Sequence, residues 1–299
     1  MEIAMYGEII KQIRKAKGFM QKEVYIGIVS KTFYSDFEAG KYSVEITKFE
    51  GFIKNLGITY QEFEYFKKQS QEDEVKALED KIDQLYKSGK FEVLYDIYEE
   101  YKQHQAIELR YLAIQAYLLV LITNTNFYKF SREPFNEILA ELENAKMWTM
   151  KEIKLSKLVL LSLSEKDKEK AGAIYQRIGQ ELEKYQSFDS KVYYEEMGDL
   201  YFNRVQSLLI TNDVPTAQTV FNEYQQTIQQ SDNLHLMIQL KFSENLLQLY
   251  VDYPVYQPKM KTLLQHLSET ATSETHFYGI IFQIHQEKAK SYYERYRKK

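Results

Sequence analysis

The residues of this chain best suited to chemistry lie in its first forty positions, and the chemistry they suit is binding. Arg14 and Lys17 are cations that can neutralise phosphate. Gln21, Ser30, Lys31, Thr32, Tyr34 and Ser35 carry short or amide-type hydrogen-bonding groups of the kind that reach phosphates and base edges. Bond-making chemistry finds no comparable set. The chain has no Cys, which excludes thiol nucleophiles, disulfides and thiolate metal sites. Its five histidines (His104, His235, His266, His276 and His285) never fall at the i, i+4 spacing that would aim two imidazoles at one metal. No two glycines lie closer than six residues, so no glycine-rich phosphate loop forms. Carboxylate pairs such as Glu99-Glu100 and Glu195-Glu196 sit on amphipathic stretches and read as solvated helix faces. No enzymatic activity, metal or cofactor is expected.

The binding residues need a scaffold, and the spacing around them predicts five short helices within residues 1–66. Ile9, Ile10 and Ile13 form one face of a helix over 6–17, which Gly18 should stop. Residues 21–26 form a second helix. Ser30 caps a third over 31–39, ended by Gly40. A fourth opens near Ser43 or Val44 and buries Ile46, Phe49, Phe52 and Ile53, with Gly57 closing it. Thr59 and Glu62 make a capping box for a fifth over 60–66. In the third helix Phe33 and Phe37 should face inward and Lys31, Thr32 and Ser35 outward, with Tyr34 at the boundary. Residues 1–69 hold 11 Lys+Arg against 9 Asp+Glu, whereas the rest of the chain holds 28 against 34.

Residues 67–74 are polar and read as a linker. From 75 to 299 amphipathic segments alternate with breaks at Ser88-Gly89, 124–126, Pro134, 164–168, Ser187–Ser190, Thr211–Pro215, Ser231–Asn233, Pro254–Pro258 and 270–273. The first helix of each pair is expected near 72, 106, 149, 190, 233 and 273, intervals of 34 to 43 residues that fit a solenoid of helix pairs. Such a solenoid lines its concave face with the first helices. Asn203, Arg204, Asn245 and Tyr201 fall on them and are candidates to hold an extended peptide backbone. Arg110 and Lys154 are candidates for a peptide carboxylate. The charged start has no signal-peptide core, and the longest apolar stretch, Tyr117–Ile122, is too short to span a bilayer. With no Cys, a cytoplasmic location is expected.

The segments Ile13-Arg-Lys-Ala-Lys-Gly-Phe-Met-Gln-Lys-Glu-Val24 and Val29-Ser-Lys-Thr-Phe-Tyr-Ser-Asp-Phe-Glu-Ala-Gly-Lys41 resemble the helix-turn-helix of lambda-repressor-type regulators. Together with Asn55-Leu-Gly-Ile-Thr-Tyr-Gln-Glu-Phe63, Gly198-Asp-Leu-Tyr-Phe-Asn203 and Asn212-Asp-Val-Pro-Thr-Ala217, the chain resembles the Rgg group of Gram-positive peptide-responsive regulators. The resemblance implies an all-α fold: a five-helix DNA-binding domain followed by a right-handed superhelical array of TPR-like helix pairs. It further implies a cytoplasmic homodimer that binds a double-stranded operator and a short signalling peptide, the C-terminal helix being a candidate dimer element. The likeness to the helix-turn-helix implies that Glu38, just before the Gly40 stop, pairs with Arg14 or a backbone amide. Asp36 and Met20 depart from the pattern of that motif: Asp36 would repel phosphate, and Met20 stands where Ser or Thr usually caps the second helix. Two alternatives stay open: a helix-turn-helix regulator that senses a metabolite or protein, and an interaction scaffold that no longer binds DNA.

Overall fold

The computed structural model describes residues 2–69, 74–123, 130–163, 167–270 and 272–296. Among the described residues there are sixteen α-helices and no strand. The chain divides into two compact units, Met1–Ser88 and Gly89–Lys299.

The first unit holds α1 (Glu2–Ala16), α2 (Gln21–Tyr25), α3 (Lys31–Glu38), α4 (Ile46–Leu56), α5 (Tyr60–Gln69) and α6 (Glu74–Lys87). The helix stops are those expected. Gly18, Gly40 and Gly57 all have positive φ. At Gly40 (φ +74) the turn lets Lys41 N–H reach back to Asp36 O at 2.9 Å, satisfying a carbonyl at the end of α3. Thr59 and Glu62 form the expected box: Glu62 Oε2 accepts from Thr59 N–H at 2.6 Å and Thr59 Oγ1 accepts from Glu62 N–H at 3.1 Å. Met20 brings no hydroxyl to α2, but the Glu23 carboxylate accepts from Met20 N–H at 2.7 Å and does half of that work. The core joins Ile9, Ile10 and Ile13 of α1 to Phe37 of α3 and Phe52 of α4. α1 and α3 pack so closely that a Cβ on Gly7 would lie 1.8 Å from the Phe37 carbonyl oxygen.

Four expectations are corrected here, the first being Ile46, which heads α4 and is 70% exposed while Phe49, Phe52 and Ile53 are buried as expected. Tyr34, placed at the boundary, is fully buried, and Phe33, placed in the core, is half-buried outside it. At 100° per residue, 34, 37 and 38 share the inward face of α3, and 33 is turned well away from its middle. The polar segment 67–74 is also more ordered than a linker: Lys67–Gln69 complete α5 and Glu74 starts α6, while 70–73 lie outside the described residues. The division between units falls later, after Ser88.

The second unit holds α7 (Phe91–Tyr101), α8 (Ile107–Thr123), α9 (Glu133–Asn144), α10 (Met150–Ser162), α11 (Lys168–Glu183), α12 (Ser190–Ile210), α13 (Val214–Ile228), α14 (Leu234–Val251), α15 (Tyr253–Thr270) and α16 (Thr272–Tyr296). α8, α10, α12, α14 and α16 start within a residue of the expected first helices. α8 packs on α10, α12 on α14, and α14 on α16, and each of α12, α14 and α15 also packs on its successor, which is the neighbour pattern of TPR-like helix pairs. The turns are written locally. Asn212 takes the left-handed conformation (φ +61), and Asp213 then caps α13 by accepting from Thr216 N–H at 3.3 Å. The break expected at Pro254–Pro258 falls instead at Asp252. Pro254 sits in the first turn of α15, where its missing N–H is tolerated, and Pro258 forgoes a single intrahelical bond. The breaks at 124–126 and 164–166 lie outside the described residues.

Candidate nucleic-acid interface and ligand clefts

In the first unit one buried ionic clamp joins three helices. Arg14 of α1 donates from Nε to Glu38 Oε1 at 2.5 Å and from Nη2 to Glu38 Oε2 at 3.0 Å. Gln21 of α2 donates to the same Oε2 at 2.8 Å, and Arg14 Nη1 donates to the Phe19 carbonyl at 2.7 Å. Burial pushes the Glu38 carboxyl up, but the hydrogen bonds from Arg14 and Gln21 outweigh it and hold the group below its ordinary value. The same bond to Glu38 raises the Arg14 guanidinium. Burial and the Glu38 charge raise the Tyr34 phenol above its ordinary value.

This geometry separates the candidate DNA residues into two sets. Arg14 is only 8% exposed, and its donors are committed to Glu38 and Phe19. Gln21 turns its amide inward, and Tyr34 is enclosed in the core. Arg14 and Tyr34 are enclosed and serve to position the motif, a correction to the expectation for each, whereas Gln21 is half-buried with one amide N–H committed to Glu38. Lys17, Ser30, Lys31, Thr32 and Ser35 are exposed. Ser30 also caps α3, its Oγ accepting from Phe33 N–H at 3.3 Å. Asp36, the residue that should repel phosphate, is paired with Lys41 Nζ at 2.9 Å. Sequence reasoning missed that pair, although the i, i+5 spacing across Gly40 brings the two side chains together. It also missed the stacking of Phe33 on Tyr42, with ring centroids 6.2 Å apart and planes within 10°.

In the second unit the first helices carry a polar ladder. Tyr111 of α8 hydrogen-bonds Glu152 of α10. Lys157 of α10 reaches Glu196 at 2.5 Å and Asp199 at 3.5 Å, both on α12. Gln239 of α14 donates to Asp199 at 3.2 Å and accepts from the buried Tyr224 hydroxyl at 2.6 Å. Of these residues only Glu196 was singled out in advance, as part of a solvated face, and it is instead half-buried against Lys157; the pairings themselves cross 15 to 42 residues of sequence.

Two clefts of about 560 Å³ open in the second unit, one of them at the Tyr111–Glu152 end of this ladder. One is walled by Leu160, Leu161, Leu163 and Ile210 and receives Asn203 and Arg204. The Arg204 guanidinium lies 5.5 Å over the Tyr175 ring. The other is lined by Arg110, Tyr111, Ile114 and Leu155 among others. α10 is a wall of both. Lys154 is exposed and lies 3.9 Å from Glu196, lining neither cleft. Tyr201 and Asn245 are corrected: both are on first helices but face the core. Tyr201 is stacked on Tyr224 at 5.5 Å, and Asn245 is 6% exposed within α14, which other helices enclose on most sides. Among the described residues no group of three His, Asp or Glu gathers to hold a metal, and no helix is long and apolar enough to cross a membrane.

No protein-family model matches the sequence, and no curated protein matches it. Solved structures do match in fold along nearly the whole chain. A protein of Listeria monocytogenes EGD-e assigned to transcriptional regulation superposes with a TM-score of 0.78 at 20% identity, over 96% of this chain and 98% of that one. The SHP pheromone receptor Rgg2 of Streptococcus dysgalactiae gives 0.68 at 13% identity, over 94% and 99%. PlcR of Bacillus thuringiensis, in complex with the peptide PapR7 and DNA, gives 0.62 at 15% identity, over 92% and 98%. At these identities the likeness establishes a shared fold: an N-terminal helix-turn-helix unit followed by TPR-like helix pairs.

Proposed function

We propose that this chain is a sequence-specific DNA-binding transcription regulator controlled by a short peptide, acting as a cytoplasmic homodimer. The observation that carries the reading is the outward face of α3. Lys31, Thr32 and Ser35 are exposed on a helix whose inner side is fixed by the Arg14–Glu38–Gln21 clamp. A rigid small helix bearing a cation and two hydroxyls suits the major groove. The Asp36–Lys41 pair removes the charge objection to phosphate approach. One such helix reads few base pairs, so two-fold pairing on a palindromic site follows from the length of DNA that a genome-specific site requires.

Peptide control draws its support from the second unit. Two open clefts that share a wall along α10 suit an extended chain with two anchor residues, whereas a metabolite calls for one closed pocket. Asn203 can both donate to and accept from a peptide backbone, and Arg204 and Arg110 supply cations for carboxylates. Two of the neighbouring structures are a pheromone receptor and a peptide–DNA complex.

The test is a fluorescence-polarisation titration with the promoter region beside the chain's own gene, at two salt concentrations. Binding should be selective over random duplex and fall steeply with salt. Lys31→Ala should lower affinity and reduce the salt slope by about 1. Salt-insensitive binding, or binding equal to that of random duplex, removes the DNA reading. A library of short apolar peptides should shift the operator affinity of the native chain, and Asn203→Ala should blunt that shift while leaving basal DNA affinity intact.

A further inference from the structure

The aromatic pair beside the outward face of α3 has no task in folding that the structure reveals. Phe33 stands outside the apolar core of its unit, and Tyr42, on which it stacks, is 54% exposed. By helix geometry the face opposite Tyr34, Phe37 and Glu38 centres on Thr32 and Asp36, flanked by Ser35 on one side and Phe33 on the other. Asp36 is drawn towards Lys41. What is left to meet a ligand is an apolar strip, the Thr32 methyl with the Phe33 and Tyr42 rings, edged by the polar groups of Lys31 and Ser35.

On a surface that meets the major groove, an apolar strip has one matching feature. Among the base edges displayed there, only thymine carries a methyl group, and Thr methyls and Phe rings are suitable partners for it. α3 exposes no Asn, Gln or Arg; Lys31 can reach guanine and the Thr32 and Ser35 hydroxyls serve either kind of base, which leaves methyl contact as its means of selecting thymine.

We propose that Thr32, Phe33 and Tyr42 form a reader of thymine 5-methyl groups, so that each operator half-site places one or two thymines against this strip. The inference rests on the DNA-binding reading above and adds the base it selects. Tyr42 lies beyond the end of α3, so the reader is completed by the turn at Gly40, which folds residues 41 and 42 back beside the helix.

The full chain is used to enrich duplexes from a random-sequence library. In the enriched duplex each thymine is then replaced in turn by deoxyuridine, which deletes the methyl and keeps the hydrogen-bonding edge. At one or two positions per half-site the native chain should lose about fourfold in affinity, the factor expected for one buried methyl-sized group. In Phe33→Ser the thymine-to-deoxyuridine ratio at those positions should fall to near one, while Phe33→Leu should keep most of it. The ratio is measured within each variant, so a general loss of folded protein cannot imitate the result. A ratio near one everywhere with the native chain overturns the inference alone, as does a ratio that survives in Phe33→Ser. Failure to enrich any sequence overturns the DNA-binding reading and the inference with it.

Discussion

The two units solve the problem of buried polar groups in opposite ways. The first encloses a charged pair: Glu38 is 4% exposed and bound to Arg14 and Gln21, so that three short helices share one ionic knot. The second keeps most of its ion pairs on the helix faces, pairs its buried carboxylate Glu181 with the exposed Lys184, and otherwise buries neutral groups. Its innermost polar contact is His285 of α16 with Tyr250 of α14, at 2.8 Å. Burial, helped by the Lys288 charge, pushes His285 down to about 4, so the ring is neutral near pH 7. The difference follows from core size. α1 to α3 together offer few apolar side chains, and a directional bond set fixes their angles where packing alone would leave them loose. The long helices of the second unit have apolar surface enough to set their own geometry, and they tolerate neutral polar atoms such as His285 Nε2 and Ser156 Oγ buried without a hydrogen-bond partner among the described residues.

The contrast predicts different responses to mutation and to acid. The largest effect should come from cutting the knot. Glu38→Ala leaves a buried guanidinium without its partner and should destabilise the first unit by about 3–5 kcal/mol. Trp148 is the chain's one tryptophan and is buried in the second unit, so its fluorescence should hardly change while hydrogen exchange in α1 to α3 accelerates. Equal loss in both units would mean that the clamp is not local. Acid should strike the second unit first. A base whose folded value is depressed gives its full stabilisation above its ordinary 6.5 and loses it as pH falls towards about 4. Over that window the loss should approach about 3 kcal/mol. Glu38 acts in a lower window: its contribution is full above the ordinary 4.5 and is lost only as pH falls through the lower folded value. Urea midpoints read by Trp148 at pH 7 and pH 5 should therefore separate in the native chain and converge in His285→Phe. An unchanged separation in that variant would assign the acid response to other groups.

Much of this architecture was legible because helix ends are local. Gly40, Asn212 and the Thr59–Glu62 box act within a few residues, and the starts of α8, α10, α12, α14 and α16 could be placed from such signals. Orientation was harder. Phe33 and Tyr34 are adjacent aromatics on one helix, and 100° of turn decides which is enclosed, something composition cannot settle. Tyr201 and Asn245 were placed on the right helices and the wrong faces, because α12 and α14 are packed on several sides and bury polar residues among apolar ones. Arg14 shows a different error. Its pairing with Glu38 was foreseen, and a DNA contact was expected of it as well, yet one buried guanidinium cannot serve both. Asn203, Arg204 and Arg110 were named in advance and do line the clefts, but the apolar walls and the polar ladder depend on side chains far apart in sequence.

The backbone approaches sharpen the same comparison at smaller scale. A methyl at Gly7 would meet the Phe37 carbonyl oxygen at 1.8 Å, and backbone cannot move without displacing α3. Gly7→Ala gains about 1 kcal/mol of helix propensity and loses more through overpacking, for a net cost of about 2 kcal/mol. Because α3 carries the outward polar face, operator affinity should fall along with stability. A variant that keeps full affinity and stability would show that α1 and α3 can slide.

The smallest effect is expected at Gly198, where α12 meets α14. Here an added methyl would lie 2.6 Å from Leu236 Cδ2, the far end of a flexible side chain, and 3.2 Å from Gln239 Oε1. Leu236 can rotate away. Gln239 has less freedom, because it is held between the Tyr224 hydroxyl and Asp199. The helix gains propensity from the alanine, so the net cost of Gly198→Ala should be about 1 kcal/mol or less. Trp148-detected urea unfolding measures it directly. If the substitution costs as much as Gly7→Ala, then Leu236 is pinned, and the second unit is as tightly determined at its helix crossings as the first. A cost near zero would mean that the array tolerates small shifts between α12 and α14, the freedom that a groove shaped by its ligand requires.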